Sequence, residues 1–180
     1  MIAKIHKSSG LAGTLNYVFG PKKGAEIVEA SEGVEGLESA KEMLSESIAL
    51  RPGVKAPVWH AMLSVPEDEQ LSKDEWGGIV DEYVEKMGFG ACAYVAVEHQ
   101  DTRHNHVHIV ASRVDVSGRL VSDSHDRYRS QAIVREIERD WGLRVVRSSW
   151  EKGDDLERAK APSQAEYHAL ERTGEERAKE

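Results

Sequence analysis

The chain of 180 residues has a single cysteine, Cys92, and no long apolar run. One cysteine excludes an intrachain disulfide, and a reducing cytoplasm is the simplest setting for such a protein. No stretch approaches the roughly 18 apolar residues that a membrane-spanning helix needs. Residues 1–7 are too polar, and their apolar run too short, for a signal peptide. We therefore expect a cytoplasmic protein without membrane insertion.

The net charge of −8 argues at first against a nucleic-acid partner, but the charge is unevenly distributed. Residues 1–24 contain four lysines and no acidic residue, whereas residues 25–98 contain 16 acidic and five basic residues. Residues 99–147 contain nine arginines against seven acidic residues. Local basic patches matter more to phosphate binding than total charge. The two basic segments could therefore bind nucleic acid despite the negative net charge.

Hydrophobic periodicity predicts strands and helices that follow one another along the chain. The segment after the capping box of Ser72 and Glu75 has the clearest helical stripe, and Gly88 ends it. Strands are predicted over 2–7, 25–30, 58–65, 91–99, 106–114 and 145–146, and helices over 11–19, 37–50, 73–87 and 124–141. This order predicts an α+β two-layer sandwich with helices packed on a central, mainly antiparallel sheet. We expect one domain over 1–150 and a charged, partly helical C-terminal extension over 151–180.

Four of the eight histidines fall within residues 99–108. His106 and His108 alternate along a predicted strand and therefore share one face. If His99 opposes His106 across a hairpin, three imidazoles converge and leave a coordination position open, which is typical of a catalytic metal site. Packed and satisfied histidines are the alternative. His104 has the wrong strand parity for the same face. It either shapes the loop or contacts DNA, and metal binding is the alternative.

Two further residues are candidates for the chemistry. Asp101 lies inside the cluster and would either orient one imidazole through its second nitrogen or act as a general base. Tyr17 lies on the first predicted helix, roughly 145° from the centre of its apolar face at about 100° per residue. Tyr17 is therefore available either as a nucleophile or for packing against another element.

The spacing His99-x-Asp101-Thr102-x-His104-x-His106-x-His108, followed by residues 109–114, resembles the third motif of plasmid relaxases. These are the mobilisation nucleases of the HUH superfamily, here the MobP/MobQ-like (MobA/VirD-like) group. Tyr17 after a first strand resembles the position of the relaxase nucleophile. Residues 60–66 resemble the middle motif of the family, and residues 161–167 and 171–174 more weakly resemble the segment after the nuclease core.

The resemblance implies an enzyme that nicks single-stranded DNA at a transfer origin for conjugative mobilisation. Tyr17 would attack by transesterification, forming a 5′-phosphotyrosyl link and leaving a free 3′-hydroxyl. His99, His106 and His108 would hold Mg²⁺ or Mn²⁺ in the family's manner, although imidazoles alone would favour Zn²⁺ or other borderline ions. Accessory relaxosome proteins and a coupling protein are the partners that the family implies.

Seven residues of the two basic segments are candidate phosphate contacts, and each would contribute only weakly to the binding of DNA by itself. They are Lys4, Lys7, Lys22, Lys23, Arg103, Arg113 and His104.

Three other functions fit parts of this pattern. A rolling-circle replication initiator shares the chemistry but places its tyrosine after the histidine motif, so the order here favours a relaxase. A non-catalytic DNA-binding regulatory module would keep the fold without nicking. An unrelated metal-dependent hydrolase acting on a small substrate would have no affinity for DNA.

Overall fold

A computed structural model describes residues 1–21 and 23–146 of the chain. In chain order the elements are β1 (Ile2–Ser8), α1 (Leu11–Val18), β2 (Glu26–Ala30), α2 (Leu37–Ala49), β3 (Val58–Ser64), α3 (Lys73–Lys86), β4 (Cys92–His99), β5 (His106–Asp115) and α4 (Asp126–Asp140). Met1–Val146 form one compact unit. The extension predicted over 151–180, its helix and the motifs assigned to it lie outside the described residues.

The five strands form one sheet in the order β1-β3-β5-β4-β2, and every neighbouring pair is antiparallel. β4 and β5 are buried along their whole length, because the sheet covers both their edges and helices cover both their faces. The α+β class and the antiparallel sheet that carries the histidine hairpin are confirmed. β5 is the central strand, so its side chains reach the middle of both faces.

Alternate residues of β5 project into two different cores. We call the side that carries Trp59 and Ile109 the tryptophan face, and there α3 and α4 pack on the sheet. We call the opposite side, which carries His106 and His108, the histidine face. Its core is formed by aliphatic residues of α1, α2 and the strands. The helices supply Leu15, Val18, Ala40 and Leu44, and the strands supply Val58, Val95, Val97 and Val110. The structure thus places one pair of helices on each face of the sheet.

The best-patterned helix, α3, begins and ends where the sequence predicts. The Ser72 hydroxyl accepts a hydrogen bond from the Glu75 amide, and the Glu75 carboxylate accepts one from the Ser72 amide. Gly88 follows the helix with φ of +86°, a backbone conformation that glycine adopts without a steric penalty. All six residues of the predicted stripe are buried: Trp76, Ile79, Val80, Tyr83, Val84 and Met87.

The short strand predicted over 145–146 is wrong. The Val146 amide donates to the Glu138 carboxylate at 3.1 Å rather than to a neighbouring strand, and within residues 1–21 and 23–146 the edge strand β1 pairs with β3 alone. Two apolar residues are too few for periodicity to decide between a strand and a loop. No helix among the described residues is both long enough and apolar enough to cross a bilayer.

Candidate active site

Three histidines meet at the loop end of the β4–β5 hairpin, on the histidine face. His99 pairs directly with His106, and His108 follows two residues later on β5. Directly opposed residues, and residues two apart on one strand, project from the same face of a sheet. One nitrogen of each ring lies within 4.8 Å of the others, and all three residues are at most 3% exposed. The structure therefore brings together the three imidazoles that the sequence pattern selected.

Backbone carbonyls hold the outer nitrogens of two of these rings. The Nε2–H of His99 donates to the Val18 carbonyl at 2.7 Å. The Nδ1–H of His106 donates to the His104 carbonyl at 2.9 Å, and the Thr102 hydroxyl lies 3.3 Å from the same nitrogen. Such contacts fix both the rotation of an imidazole and the position of its proton.

The third ring has a different partner. Nδ1 of His108 lies 2.9 Å from Nε2 of His60, which comes from the adjacent strand β3. His60 pairs with Val110, two residues from His108 on β5, so its ring reaches His108 diagonally across the sheet. Every ring of the triad thus has one nitrogen engaged by the surrounding protein.

The remaining ring nitrogens suit a metal ion. His99 Nδ1, His106 Nε2 and His108 Nε2 are buried, and none has a hydrogen-bond partner among the described residues. Buried polar atoms are normally satisfied, so three orphaned nitrogens within 4.8 Å of one another require an explanation. Three histidine ligands with further positions open are typical of catalytic metal sites, and the donor set therefore fits a divalent cation.

Burial keeps these rings neutral near pH 7. Desolvation, with a smaller contribution from neighbouring histidines, lowers the pKa of His60 to about 4, and desolvation is also the main cause that lowers the pKa of His99 to about 4. The pKa values of His106 and His108 are lowered for the same main reason. Neutral imidazoles offer lone pairs, so protons compete little with a cation for this site.

Asp101 occupies a different position from the one expected for an orienting residue. Its Oδ1 lies 3.7 Å from Nε2 of His106, the nitrogen that faces the other two rings. The second nitrogen of His106 is held by the His104 carbonyl instead. Asp101 therefore does not set the orientation of that ring through its outer nitrogen, and its carboxylate lies on the reactive side of the triad.

Tyr17 lies beside the triad on α1. Its ring centroid is 5.8 Å from that of His108 and 6.5 Å from that of His99, in edge-on contacts. The Lys23 ammonium lies over the Tyr17 ring, 3.4 Å from its centroid. Tyr17 is half-buried and packs against the core of the histidine face, so the tertiary contacts turn it toward the sheet although the helical wheel places it away from the apolar side.

Besides Lys23, three of the basic candidates lie near this site or in its loop. Lys4 is exposed on β1 and shares a row with His108, two strands away on the same face. Arg103 and His104 are exposed in the β4–β5 loop. The His104 ring also lies 3.4 Å from the Glu67 carboxylate, an ion pair only when His104 is protonated.

Two other basic candidates are engaged in the fold. The Lys7 ammonium lies 3.0 Å from Asp123 and 3.1 Å from Asp126. Arg113 is 6% exposed, contacts Asp123 at 2.9 Å and donates to two backbone carbonyls. Both cations thus already have acidic partners within the fold, and their role as phosphate contacts stays a prediction. Lys22 lies outside the described residues.

Sequence reasoning did not assign two residues that support the site. His60 belongs to the middle motif, but only the pairing of β3 with β5 places it against His108. Asn105 lies behind the hairpin, where its side-chain oxygen accepts hydrogen bonds from the Trp76 indole at 2.7 Å and from the Leu71 amide at 3.0 Å. The Asn105 amide also donates to Glu98 on β4. The sequence offered one sign of this role, which is that Asn105 directly precedes His106 at the start of the second hairpin strand.

The family model of the MobA/VirD2-like relaxase nuclease domain matches residues 17–143. Two solved structures of the MobM relaxase domain (MOBV) bound to plasmid pMV158 oriT DNA, both containing Mn, are similar in fold. The first has a TM-score of 0.63 at 14% identity, and the second a TM-score of 0.60 at 15% identity. In both cases the match covers 94% of this chain and 97% of the other. A search of curated proteins finds no match. The family match covers well over half of the chain, which therefore belongs to the relaxases with a MobA/VirD2-like nuclease domain.

Proposed function

We propose that this relaxase nicks single-stranded DNA at a transfer origin by tyrosine transesterification. One observation carries the proposal: three buried ring nitrogens without hydrogen-bond partners converge within 4.8 Å of one another, and the Tyr17 ring packs against the same histidines. A nucleophile and a cation site side by side are what phosphodiester cleavage through a covalent intermediate requires.

In the proposed step the Tyr17 oxygen attacks the scissile phosphorus. A bond forms between the phenolic oxygen and phosphorus, and the bond from phosphorus to the 3′-oxygen breaks. The strand that ends in the 3′-hydroxyl leaves, and the strand on the other side of the nick stays attached to the protein through its 5′-phosphate. The phenol loses one proton and the departing 3′-oxygen gains one, so the step is balanced. Because a phenol with a pKa near 10 is also a tolerable leaving group, the step can reverse when a 3′-hydroxyl returns.

Two neighbouring side chains would assist this proton transfer. The Asp101 carboxylate lies on the reactive side of the triad, 3.7 Å from His106 Nε2, and we assign it as the candidate base for the phenolic proton. The Lys23 ammonium over the Tyr17 ring would favour the phenolate through a cation–π contact and its positive charge. Lys23 would also contact phosphate.

His99, His106 and His108 would hold the divalent ion through Nδ1, Nε2 and Nε2 respectively. When bound, such an ion neutralises charge on the scissile phosphate and makes its phosphorus easier to attack. Three imidazoles bind Zn²⁺ and other borderline ions more tightly than Mg²⁺. The presence of Mn in the two similar structures favours Mn²⁺ or Mg²⁺ as the ion to test first.

The DNA strand would cross the histidine face beside the β4–β5 loop. Lys4, Lys23, Arg103 and His104 are the phosphate contacts that we retain, and binding through them should weaken as salt rises. Since the site needs an unpaired strand, accessory relaxosome proteins would open the duplex and a coupling protein would receive the product. Both partners are proposed from membership of the family.

The test is covalent capture of DNA. The full chain is incubated with Mn²⁺ and single-stranded oligonucleotides that tile candidate transfer origins, and adducts are separated by denaturing electrophoresis. We expect a covalent adduct that Tyr17→Phe abolishes. Tyr128→Phe is the matched control, because Tyr128 is 66% exposed on α4, which packs on the tryptophan face.

An adduct that persists in Tyr17→Phe would show that another residue is the nucleophile. DNA binding in a gel-shift assay without any adduct, over the full set of oligonucleotides, would instead identify a non-catalytic DNA-binding module. Absence of DNA binding altogether would favour a hydrolase of small substrates.

A further inference from the structure

The three ligand histidines differ in what holds their outer nitrogens. His99 and His106 each face a backbone carbonyl. A carbonyl oxygen only accepts hydrogen bonds, so each of these rings must carry its proton on the outer nitrogen. In a neutral ring the inner nitrogen is consequently a lone pair. Backbone carbonyls alone therefore set the tautomer in which two of the three histidines can bind a metal ion.

His108 has no such carbonyl. Its Nδ1 lies 2.9 Å from Nε2 of His60, and either imidazole nitrogen can act as donor or acceptor. If His108 donates, its proton is on Nδ1 and its inner Nε2 is a lone pair. If His60 donates, His108 carries its proton on Nε2, which then points at the other two rings and repels a cation.

We propose that His60 is a positioning residue that accepts the Nδ1–H of His108 and thereby keeps the inner nitrogen of His108 free to bind the metal. The inference rests on the proposed function, because it takes the triad to be the metal site. The reverse direction would leave a buried N–H on His108 Nε2, an atom for which the described part of the chain offers no acceptor. A neutral His60 that accepts through Nε2 must carry its own proton on Nδ1.

The hydrogen-bond direction gives a pattern of tautomers that can be measured without any metal. His60, His106 and His108 should be Nδ1–H tautomers, whereas His99 should be the Nε2–H tautomer. Long-range ¹H–¹⁵N NMR spectra of the metal-free, ¹⁵N-labelled chain distinguish the two forms. The His108 signals are assigned by their loss in His108→Gln.

Three variants isolate the role of His60. His60→Leu removes the acceptor, and we expect His108 to shift toward the Nε2–H form and the affinity for Mn²⁺, measured by calorimetry, to fall about 10- to 100-fold. His60→Gln places an amide oxygen near the position of Nε2, and it should restore the affinity to within about threefold of the wild type. His6→Leu is the matched control, because exposed His6 on β1 also pairs with His60 on β3 but lies two strands away from β5, which carries His108.

Two results would overturn the inference: an Nε2–H tautomer for His108 in the wild type, or unchanged Mn²⁺ affinity in a folded His60→Leu chain. If His60→Leu does not fold, the wild-type tautomer and the His60→Gln affinity still decide. A wild type that shows the expected tautomers but binds no Mn²⁺, Mg²⁺ or Zn²⁺ would contradict the proposed function and the ligand role of the triad, while leaving the direction of the hydrogen bond established.

Discussion

The two faces of the sheet come from the same strands but treat their side chains in opposite ways. On the tryptophan face, Trp59 stacks on Phe89 with centroids 4.4 Å apart, and the Tyr83 hydroxyl is hydrogen-bonded to Ser130 at 2.7 Å. On the histidine face, aliphatic residues form the core, and three imidazole rings lie at the loop end of the hairpin. The inner nitrogens of these rings have no hydrogen-bond partner among the described residues. The tryptophan face is a packed core, whereas the histidine face ends in a cluster of ring nitrogens that could bind a metal ion.

The alternation along β5 explains how both faces coexist. Val107 and Ile109 belong to the core of the tryptophan face, whereas His106 and His108, which alternate with them, project to the other side. Successive residues of a strand point to opposite faces, so the core next to the site supports the backbone without sharing side chains with it. This separation predicts that stability and metal-dependent chemistry respond to different substitutions on one strand.

The largest effect is expected on the histidine face. His106→Ala removes one of three ligands and should lower the rate of adduct formation with Mn²⁺ by about 10³-fold, because a bound ion contributes several kcal/mol to the transition state. Because His106 is buried and donates to the His104 carbonyl, the unfolding free energy of the metal-free chain should fall by about 1–3 kcal/mol. His6→Ala is the control, because His6 is exposed on the edge strand β1 and is neither a proposed ligand nor a proposed phosphate contact. Equal losses in both variants would contradict the assignment of the ligand.

On the tryptophan face the order of effects should reverse. Ile109→Ala, at a fully buried position, should lower the free energy of unfolding in urea by about 2–5 kcal/mol through lost burial and a residual cavity. The folded variant should keep its Mn²⁺ affinity, because Ile109 points away from the triad. A comparable loss of Mn²⁺ affinity in folded Ile109→Ala would show that the two faces are mechanically coupled.

A smaller effect should appear when pH is lowered without metal. His60 and His99 have pKa values of about 4 in the folded chain, against 6.5 when unperturbed. Between these values the unfolded chain binds more protons than the folded one, so the free energy of unfolding falls as pH drops from about 6.5 toward about 4. Each kcal/mol lost lowers the melting temperature of a protein of this size by about 2–4 °C.

Thermal unfolding of EDTA-treated protein at several pH values measures this effect. His125→Asn should keep the same dependence, because His125 is exposed at the start of α4 and its backbone is in the left-handed region that Asn tolerates. A melting temperature that is constant from pH 7 to pH 5 would contradict the burial of neutral rings on the histidine face.

The fold and much of the site follow from local patterns. The stripe and capping box of α3, the hairpin with His99 opposite His106, and the shared face of His106 and His108 all rest on periods of 3.6 or two residues, which a sequence displays directly. The one wrong element has the opposite origin, because the predicted strand over 145–146 was too short to carry a period. The sequence also left two roles open for Asp101, because only tertiary contacts decide which nitrogen of His106 its carboxylate faces.

By itself, the sequence determined which residue types alternate, and hence that a hairpin would carry three imidazoles on one face beside a helix with a tyrosine. Only the tertiary structure decided which nitrogen of each ring points inward. That choice depends on the Val18 carbonyl at the end of α1, the His104 carbonyl in the loop and the His60 ring on β3. Two of these three partners lie more than 40 residues from the ring that they hold, and a local period carries no information about contacts at such a separation.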